Sequence, residues 1–261
     1  MIRTLIQPNI ADFPACFHNL LENCHIYDSS CSDAAKVFFL DKDSGLFLKS
    51  AAKGTLAKEA ALDRYFHAKG LGAEVLAYET LEQDWLLTRQ IPGEDCTHEM
   101  YRADPKRLCD ITAERLRMLH DTGYENCPVS DRTAQYLDNA RKNYAAGTYD
   151  TELFPDNWGY ATAEEAWRVV EDGGKYLQTS TLLHGDYCLP NILLDNWKFS
   201  GFIDLDAGGV GDRHVDLFWG IWSLQFNLKT DAYRERFLDV YGRQDVNEEL
   251  FRLIAAIEVF S

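Results

Sequence analysis

The sequence predicts an α+β chain in two parts, a small β-rich N-terminal lobe and a larger, mostly helical C-terminal lobe. Three observations predict it. Short runs rich in aromatic and β-branched residues crowd the first ninety positions, Pro92-Gly93 breaks that pattern, and apolar residues then recur at helical spacing behind capping residues. The division falls at residues 1–91 and 92–261.

In the first part, Lys36–Leu40 and Leu46–Lys49 read as strands around the turn Asp41-Lys42-Asp43-Ser44-Gly45. A helix is predicted over Leu56–Ala68, ending near Gly70. Two more strands follow at Glu74–Thr80 and Trp85–Ile91, joined by Glu82-Gln83-Asp84. In the second part, Asp104 caps a helix with Pro105 in its first turn, and Leu108, Ile111, Leu116 and Leu119 share one face. Gly123 ends it. Thr133–Ala145 is a second helix, stopped by Gly147, and Thr162 with Glu165 forms a capping box for a third. Leu182-Leu183, Ile192–Leu194 and Phe202-Ile203 read as short buried strands. Helices near Val215–Phe226, Ala232–Tyr241 and Glu248–Phe260 complete the chain.

With 261 residues, 46% of them hydrophobic and 13% aromatic, the chain can bury a sizeable core. It has no apolar run long enough to span a bilayer, and Pro8, Asp12 and Pro14 interrupt the N-terminus where a signal peptide would need an unbroken apolar stretch. The seven cysteines are odd in number and contain no C-x-x-C pair, which argues against a zinc site or a disulfide framework and for a reducing cytoplasm. A formal net charge of −16 disfavours nucleic acid and anionic membranes as partners and suits a polycationic small substrate.

The segment LLHGDYCLPNILLDNWKFSGFIDLD carries the chemistry. Asp186, Asn191 and Asp204 stand at fixed offsets, each beside one of the short apolar strands. Phosphoryl transfer from ATP needs such a set: one carboxylate to orient the attacking hydroxyl and accept its proton, and hard oxygen ligands for Mg²⁺. Asp186 is the candidate base, and Asn191 and Asp204 are the candidate metal ligands. Phe47, two residues before Lys49, shares a strand face with it. Neither G-x-x-x-x-G-K-[ST] nor G-x-G-x-x-G occurs.

This spacing resembles the catalytic loop of kinases, in the version with His-Gly-Asp in place of His-Arg-Asp. HGDYCLPNILLDNWKFSGFIDL, GDRHVDL, LRMLHD, ENCP and the C-terminal IAAIEVFS together resemble the aminoglycoside 3′-phosphotransferases over most of the chain. The resemblance implies a two-lobed protein-kinase-like fold with a nucleotide in the cleft between lobes, and ATP and Mg²⁺ as cofactors. It implies that Lys49 contacts the α- and β-phosphates, that Glu59 pairs with it, and that Phe47 packs on the adenine. Backbone groups of Arg89 and Ile91 would meet the adenine edge, and Ser30 and Ser32 of the glycine-free loop Ser29–Ala35 would meet the phosphates. Asp216 would accept backbone N–H bonds from the catalytic loop, and His184 would be structural. On the substrate side the resemblance implies an acidic wall: Asp150, Glu152 and Asp156 of the insert TYDTELFPDNWG, Glu258, and the terminal carboxylate at Ser261.

The implied activity is ATP- and Mg²⁺-dependent phosphorylation of an aminoglycoside of the kanamycin or neomycin type at its 3′-hydroxyl, conferring resistance. Several positions depart from the family. Asp206-Ala207 stands for a usual Gly-Arg, Trp222 for an arginine and Ile257 for an acidic residue, and Ser261 extends past the usual terminal Phe. All lie toward the acceptor, so a same-fold kinase of homoserine, choline or a sugar-like alcohol is the alternative. A non-catalytic nucleotide-binding pseudokinase is the alternative of another class, and the intact Asp186, Asn191, Asp204 and Lys49 weigh against it. A protein kinase is disfavoured because no Asp-Phe-Gly occurs and no long activation segment fits before Asp216.

Overall fold

The computed structural model describes residues 3–31, 34–150 and 158–261. In chain order the elements are β1 (Thr4–Ile6), α1 (His18–Leu21), β2 (His25–Asp28), β3 (Ala35–Asp41), β4 (Leu46–Ala52), α2 (Ala57–Ala68), β5 (Val75–Thr80), β6 (Gln83–Arg89) and β7 (Glu94–Asp95). There follow α3 (Glu99–Arg102), α4 (Pro105–His120), α5 (Arg132–Ala146), α6 (Ala163–Gly173), β8 (Thr181–Leu183), β9 (Ile192–Asp195), β10 (Lys198–Phe202), β11 (Gly209–Gly211), α7 (His214–Leu228), α8 (Arg234–Tyr241) and α9 (Glu249–Glu258). No helix among the described residues is long and apolar enough to cross a membrane.

Two compact units divide the chain: residues 1–95 with 193–206, and residues 96–192 with 207–261. A single cut after residue 91 would assign 193–206 to the second part. That segment instead folds with the first, because β9 pairs antiparallel with β7 through Leu194 opposite Glu94 and Leu193 opposite Asp95.

The first unit is built on an antiparallel sheet in the order β1-β2-β3-β4-β6-β5. The period-2 alternation read from β3 and β4 sends Leu40, Leu46 and Leu48 to one face, where they pack with Phe13, Phe17, Leu21, Ile26, Trp85 and Leu87. The opposite face meets α2 through a cluster of Ala51, Leu56, Ala60 and Leu86. The predicted turn between β3 and β4 holds Asp43, Ser44 and Gly45 at positive φ, closed by the Gly45 N–H to the Lys42 carbonyl. β1, β2 and β7 carry too few alternating apolar residues to announce themselves in sequence.

In the second unit the expected caps are in place. An Asp104 oxygen accepts from the Arg107 N–H at the start of α4. Thr162 Oγ1 accepts from the Glu165 N–H, and the Glu165 carboxylate reaches back to the Ala161 N–H. α4 packs on α7 and α8, and α9 packs on α5, α6 and α7. β8 and β11 form a short ribbon in which Leu183, Leu182 and Thr181 face Gly209, Val210 and Gly211.

Pro92-Gly93 is more than a break in pattern. Gly93 has φ +98°, and a Cβ there would overlap the Leu194 backbone carbonyl. Gly93→Ala should therefore lower unfolding free energy by about 2 kcal/mol or more. Urea unfolding followed by circular dichroism checks this, and an unshifted midpoint would contradict the close approach.

Candidate active site

The loop between β8 and β9 carries His184, Gly185, Asp186 and Asn191. Its shape is set by Asp216, fully buried in the first turn of α7. One Asp216 oxygen accepts the Gly185 N–H at 2.7 Å and the other accepts the His184 N–H at 2.8 Å. His120, at the end of α4, adds its Nε2 at 3.1 Å, while its Nδ1 meets the Tyr241 hydroxyl at 2.8 Å. Burial pulls the His120 pKa below its ordinary value, against the pull of Asp216. Gly185 has φ +88°, and a Cβ there would overlap the Ala207 carbonyl. His184 is buried, and its Nδ1 accepts the Asp186 N–H at 3.3 Å, a structural position.

Asn191 then fixes Asp186. Its side-chain amide donates to the Asp186 carboxylate at 2.8 Å and to the Asp186 carbonyl at 3.0 Å. With the amide nitrogen spent, the carbonyl oxygen is the atom Asn191 has left for a cation. Neighbouring backbone is tied down as well. The Leu189 N–H donates to Ser223 Oγ at 2.9 Å, and the buried Tyr187 hydroxyl donates to the Thr112 carbonyl at 2.7 Å.

In the first unit, Lys49 Nζ sits 2.7 and 2.9 Å from the two Glu59 oxygens and 3.4 Å from Asp204. Burial works against the ammonium, but Glu59, Asp204 and Asp206 outweigh it and the Lys49 pKa rises. Asp204 stands beyond its strand, as the pattern predicts, though the strand ends one residue earlier than the run Phe202-Ile203 suggests. β10 stops at Phe202, and Asp204 adopts φ +56°, a conformation that Asp tolerates better than most side chains. Its side chain is 57% exposed, available to a ligand as well as to Lys49. One turn after Glu59, the buried Asp63 is pushed up to about 8, first by burial and then by the Glu59 charge.

The remaining expectations fall in several ways. Phe47 lies opposite Phe39, their ring centres 5.2 Å apart, with the Arg3 guanidinium 5.5 Å from the Phe47 ring. Ser30 Oγ accepts the Val37 N–H at 3.0 Å, so the hydroxyl already braces its own loop; Ser32 lies outside the described residues. The Arg89 side chain pairs with Glu74 at 2.8 Å, its N–H donates to the Glu74 carbonyl, and the Ile91 side chain is buried. Asp150 is exposed, with its N–H on the Val259 carbonyl, while Glu152 and Asp156 lie outside the described residues. Ser261 is exposed. Glu258 departs from expectation. Instead of lining an open acidic wall it is 7% exposed and accepts from the Tyr136 hydroxyl and from Trp219 Nε1 at 3.0 Å. Burial raises its pKa. The cause is packing, since α9 lies against α5 and α7, which carry those two donors.

The model of the phosphotransferase enzyme family (APH) matches residues 29–253. The chain belongs to this family. A probable aminoglycoside 3′-phosphotransferase of Lactococcus lactis subsp. lactis (strain IL1403) is 48% identical over 256 residues, covering 98% of this chain and 97% of the relative. An aminoglycoside 3′-phosphotransferase of Niallia circulans is 31% identical over 177 residues, 68% of this chain and 67% of its own. Among solved structures, an aminoglycoside-3′-phosphotransferase of type VIII superposes with TM-score 0.79 at 26% identity, covering 97% of this chain and 99% of that one. The APH(3″)-Id phosphotransferase of Streptomyces rimosus, solved with ADP and streptomycin, has the same fold, with TM-score 0.69 at 20% identity over 85% of this chain and 90% of that one.

The sequence pattern misses two parts of this candidate site. His120, present in the LRMLHD segment, joins Asp216 across 96 residues, and nothing local marks it. Arg132 donates through Nε to the Ala207 carbonyl at 2.7 Å, bracing the backbone at one of the positions that departs from the family.

Asp63 generates a pH prediction. Its folded pKa is raised, so below the ordinary carboxylate value both folded and unfolded states hold the proton and nothing is lost. Between 3.8 and about 8 the unfolded chain releases the proton while the folded one keeps it, and stability falls as pH rises. Asp63→Asn should gain stability over wild type that grows from pH 5 to pH 8. Thermal melts across that range check it, and a pH-independent difference would contradict it.

Proposed function

We propose that this phosphotransferase moves the γ-phosphoryl group of ATP to a hydroxyl of an aminoglycoside antibiotic, the 3′-hydroxyl of a kanamycin- or neomycin-like acceptor, and so confers resistance. The observation that carries the chemistry is the Asn191–Asp186 contact on a loop clamped by Asp216. The acceptor class is carried by the 48% identity to the probable aminoglycoside 3′-phosphotransferase, which runs nearly the full length of both chains.

In this reading Asn191 holds one oxygen of Asp186, and the other takes the proton of the acceptor hydroxyl as its oxygen attacks the γ-phosphorus and the bond to ADP breaks. Lys49, steadied by Glu59, offsets charge on the α- and β-phosphates. Backbone groups of Arg89 and Ile91 would meet the adenine edge, and Phe47 would pack on its ring. Asn191 and Asp204 would hold Mg²⁺. One carbonyl and one carboxylate suit a hard cation that keeps several waters and takes its other ligands from phosphates. A Mg²⁺ ion held by Asn191 and Asp204 would supply positive charge against the charge that develops on the transferred group.

Asp186→Asn should cut turnover by roughly 10²- to 10⁴-fold with little change in ATP affinity. A variant keeping a tenth of wild-type turnover would remove Asp186 from the role of base. Lys49→Ala should raise the KM for ATP and leave the KM for the acceptor alone, and steady-state kinetics in both substrates read the split. The acceptor is tested by a coupled assay across kanamycin, neomycin, homoserine and choline. Turnover of homoserine or choline with none of either aminoglycoside would overturn the antibiotic reading and leave the kinase chemistry standing. The burial of Glu258 is the observation that gives this alternative its weight.

A further inference from the structure

α2 has an unusual start. Its N-cap position is Leu56, whose side chain offers no oxygen to the unpaired N–H groups of the first turn. The N–H of the N-cap residue itself is held by an acceptor on a strand 28 residues away. Asp84, fully buried on β6, accepts the Leu56 N–H through Oδ2 at 3.0 Å. The same oxygen accepts the Tyr78 hydroxyl at 3.0 Å, and that hydroxyl in turn accepts from Thr80 at 2.9 Å. Burial disfavours the charged carboxyl, but the N–H groups of Gly54 and Leu56 and the Tyr78 hydroxyl outweigh it and hold its pKa below the usual range.

The position of this carboxylate has a consequence for Glu59. Asp84 and Leu86 share a face of β6, the face that packs against Leu56 and Ala60 of α2, and Leu86 is the cross-strand neighbour of Lys49. Glu59 is the third residue of α2 and lies in the turn that begins at Leu56, the N-cap residue whose N–H Asp84 receives. A frayed first turn would release Glu59, and with it the pair of bonds that steadies Lys49. A negative charge at that helix end also complements the dipole.

We propose that Asp84 is a positioning residue for nucleotide binding, acting as a cap supplied from the neighbouring sheet that sets Glu59 and, through it, Lys49. This rests on the reading of Lys49 and Glu59 as the nucleotide pair. Asp84 touches no reacting atom, so its removal acts on ATP rather than on chemistry. In Asp84→Ala the KM for ATP rises about fivefold, as loss of a helix cap implies. The kcat and the acceptor KM stay near wild type. Asp84→Asn keeps an acceptor for Leu56 and loses only the charge, so its rise is smaller. Tyr78→Phe leaves the Leu56 contact in place and moves the KM least.

The deciding experiment is a double-mutant cycle in ATP KM with Glu59→Ala, with circular dichroism confirming that each variant is folded. Once Glu59 is gone, Asp84→Ala should add nothing further. An ATP KM raised by Glu59→Ala but not by Asp84→Ala or Asp84→Asn overturns the inference, and so does a full extra rise in the double variant. If Glu59→Ala itself leaves the ATP KM unchanged, the underlying assignment of the nucleotide pair falls, and this inference falls with it. Should Asp84→Ala not fold, Asp84→Asn carries the same cycle.

Discussion

Asp216 is buried at full depth, and its carboxylate accepts two backbone N–H groups and a histidine ring nitrogen. A charge so placed survives only if its lone pairs are filled, and each bond to it is worth about 1.5–3 kcal/mol. Those bonds dictate the path of the chain through His184 and Gly185, which then presents Asp186 to Asn191. The positive φ at Gly185 and the crowding by Ala207 follow from the same path, as does the enclosure of His184. Much of the loop that carries Asp186 and Asn191 is thus a consequence of where α7 begins.

The first unit solves a parallel problem with an ion pair. Lys49 and Glu59 are both largely withdrawn from water, with side chains 21% and 7% exposed, and neither could keep its charge there alone. Holding them together requires β4 and the first turn of α2 in fixed register, which the cluster of Ala51, Leu56, Ala60 and Leu86 provides. Asp204, exposed and beyond the end of its strand, is the member of this group with room to exchange one partner for another.

The acceptor side is organised differently. Glu258 is locked by Tyr136 and Trp219, and its role as a direct partner of substrate ammonium groups is weakened by that enclosure. The aromatic ring system of α7, in which Trp222 stacks on Phe226 at 5.0 Å, occupies ground where an arginine was expected. Packing of α9 against α5 and α7 therefore encloses Glu258, while Asp150 stays exposed.

Local signals in the sequence determined a good deal. The helices α2 and α4 to α9, the strands β3 to β6 and the Asp104 and Thr162 caps were legible because periodicity and capping act within a turn or two of the chain. The offsets from Asp186 to Asn191 and Asp204 were legible because all three lie in one stretch of sequence whose apolar runs mark the flanking strands, and so was the pairing of Lys49 with Glu59 once the resemblance had been drawn. Tertiary structure alone decided the rest. Residues 193–206 join the first unit because a two-residue strand, β7, finds β9 a hundred positions later. His120 reaches Asp216, Asp84 reaches Leu56, and Glu258 disappears beneath Trp219, all through contacts between distant segments. The physical reason is the same in each case: a buried polar group must find its hydrogen-bond partner wherever packing brings one, and no local pattern in the chain records which distant segment that will be.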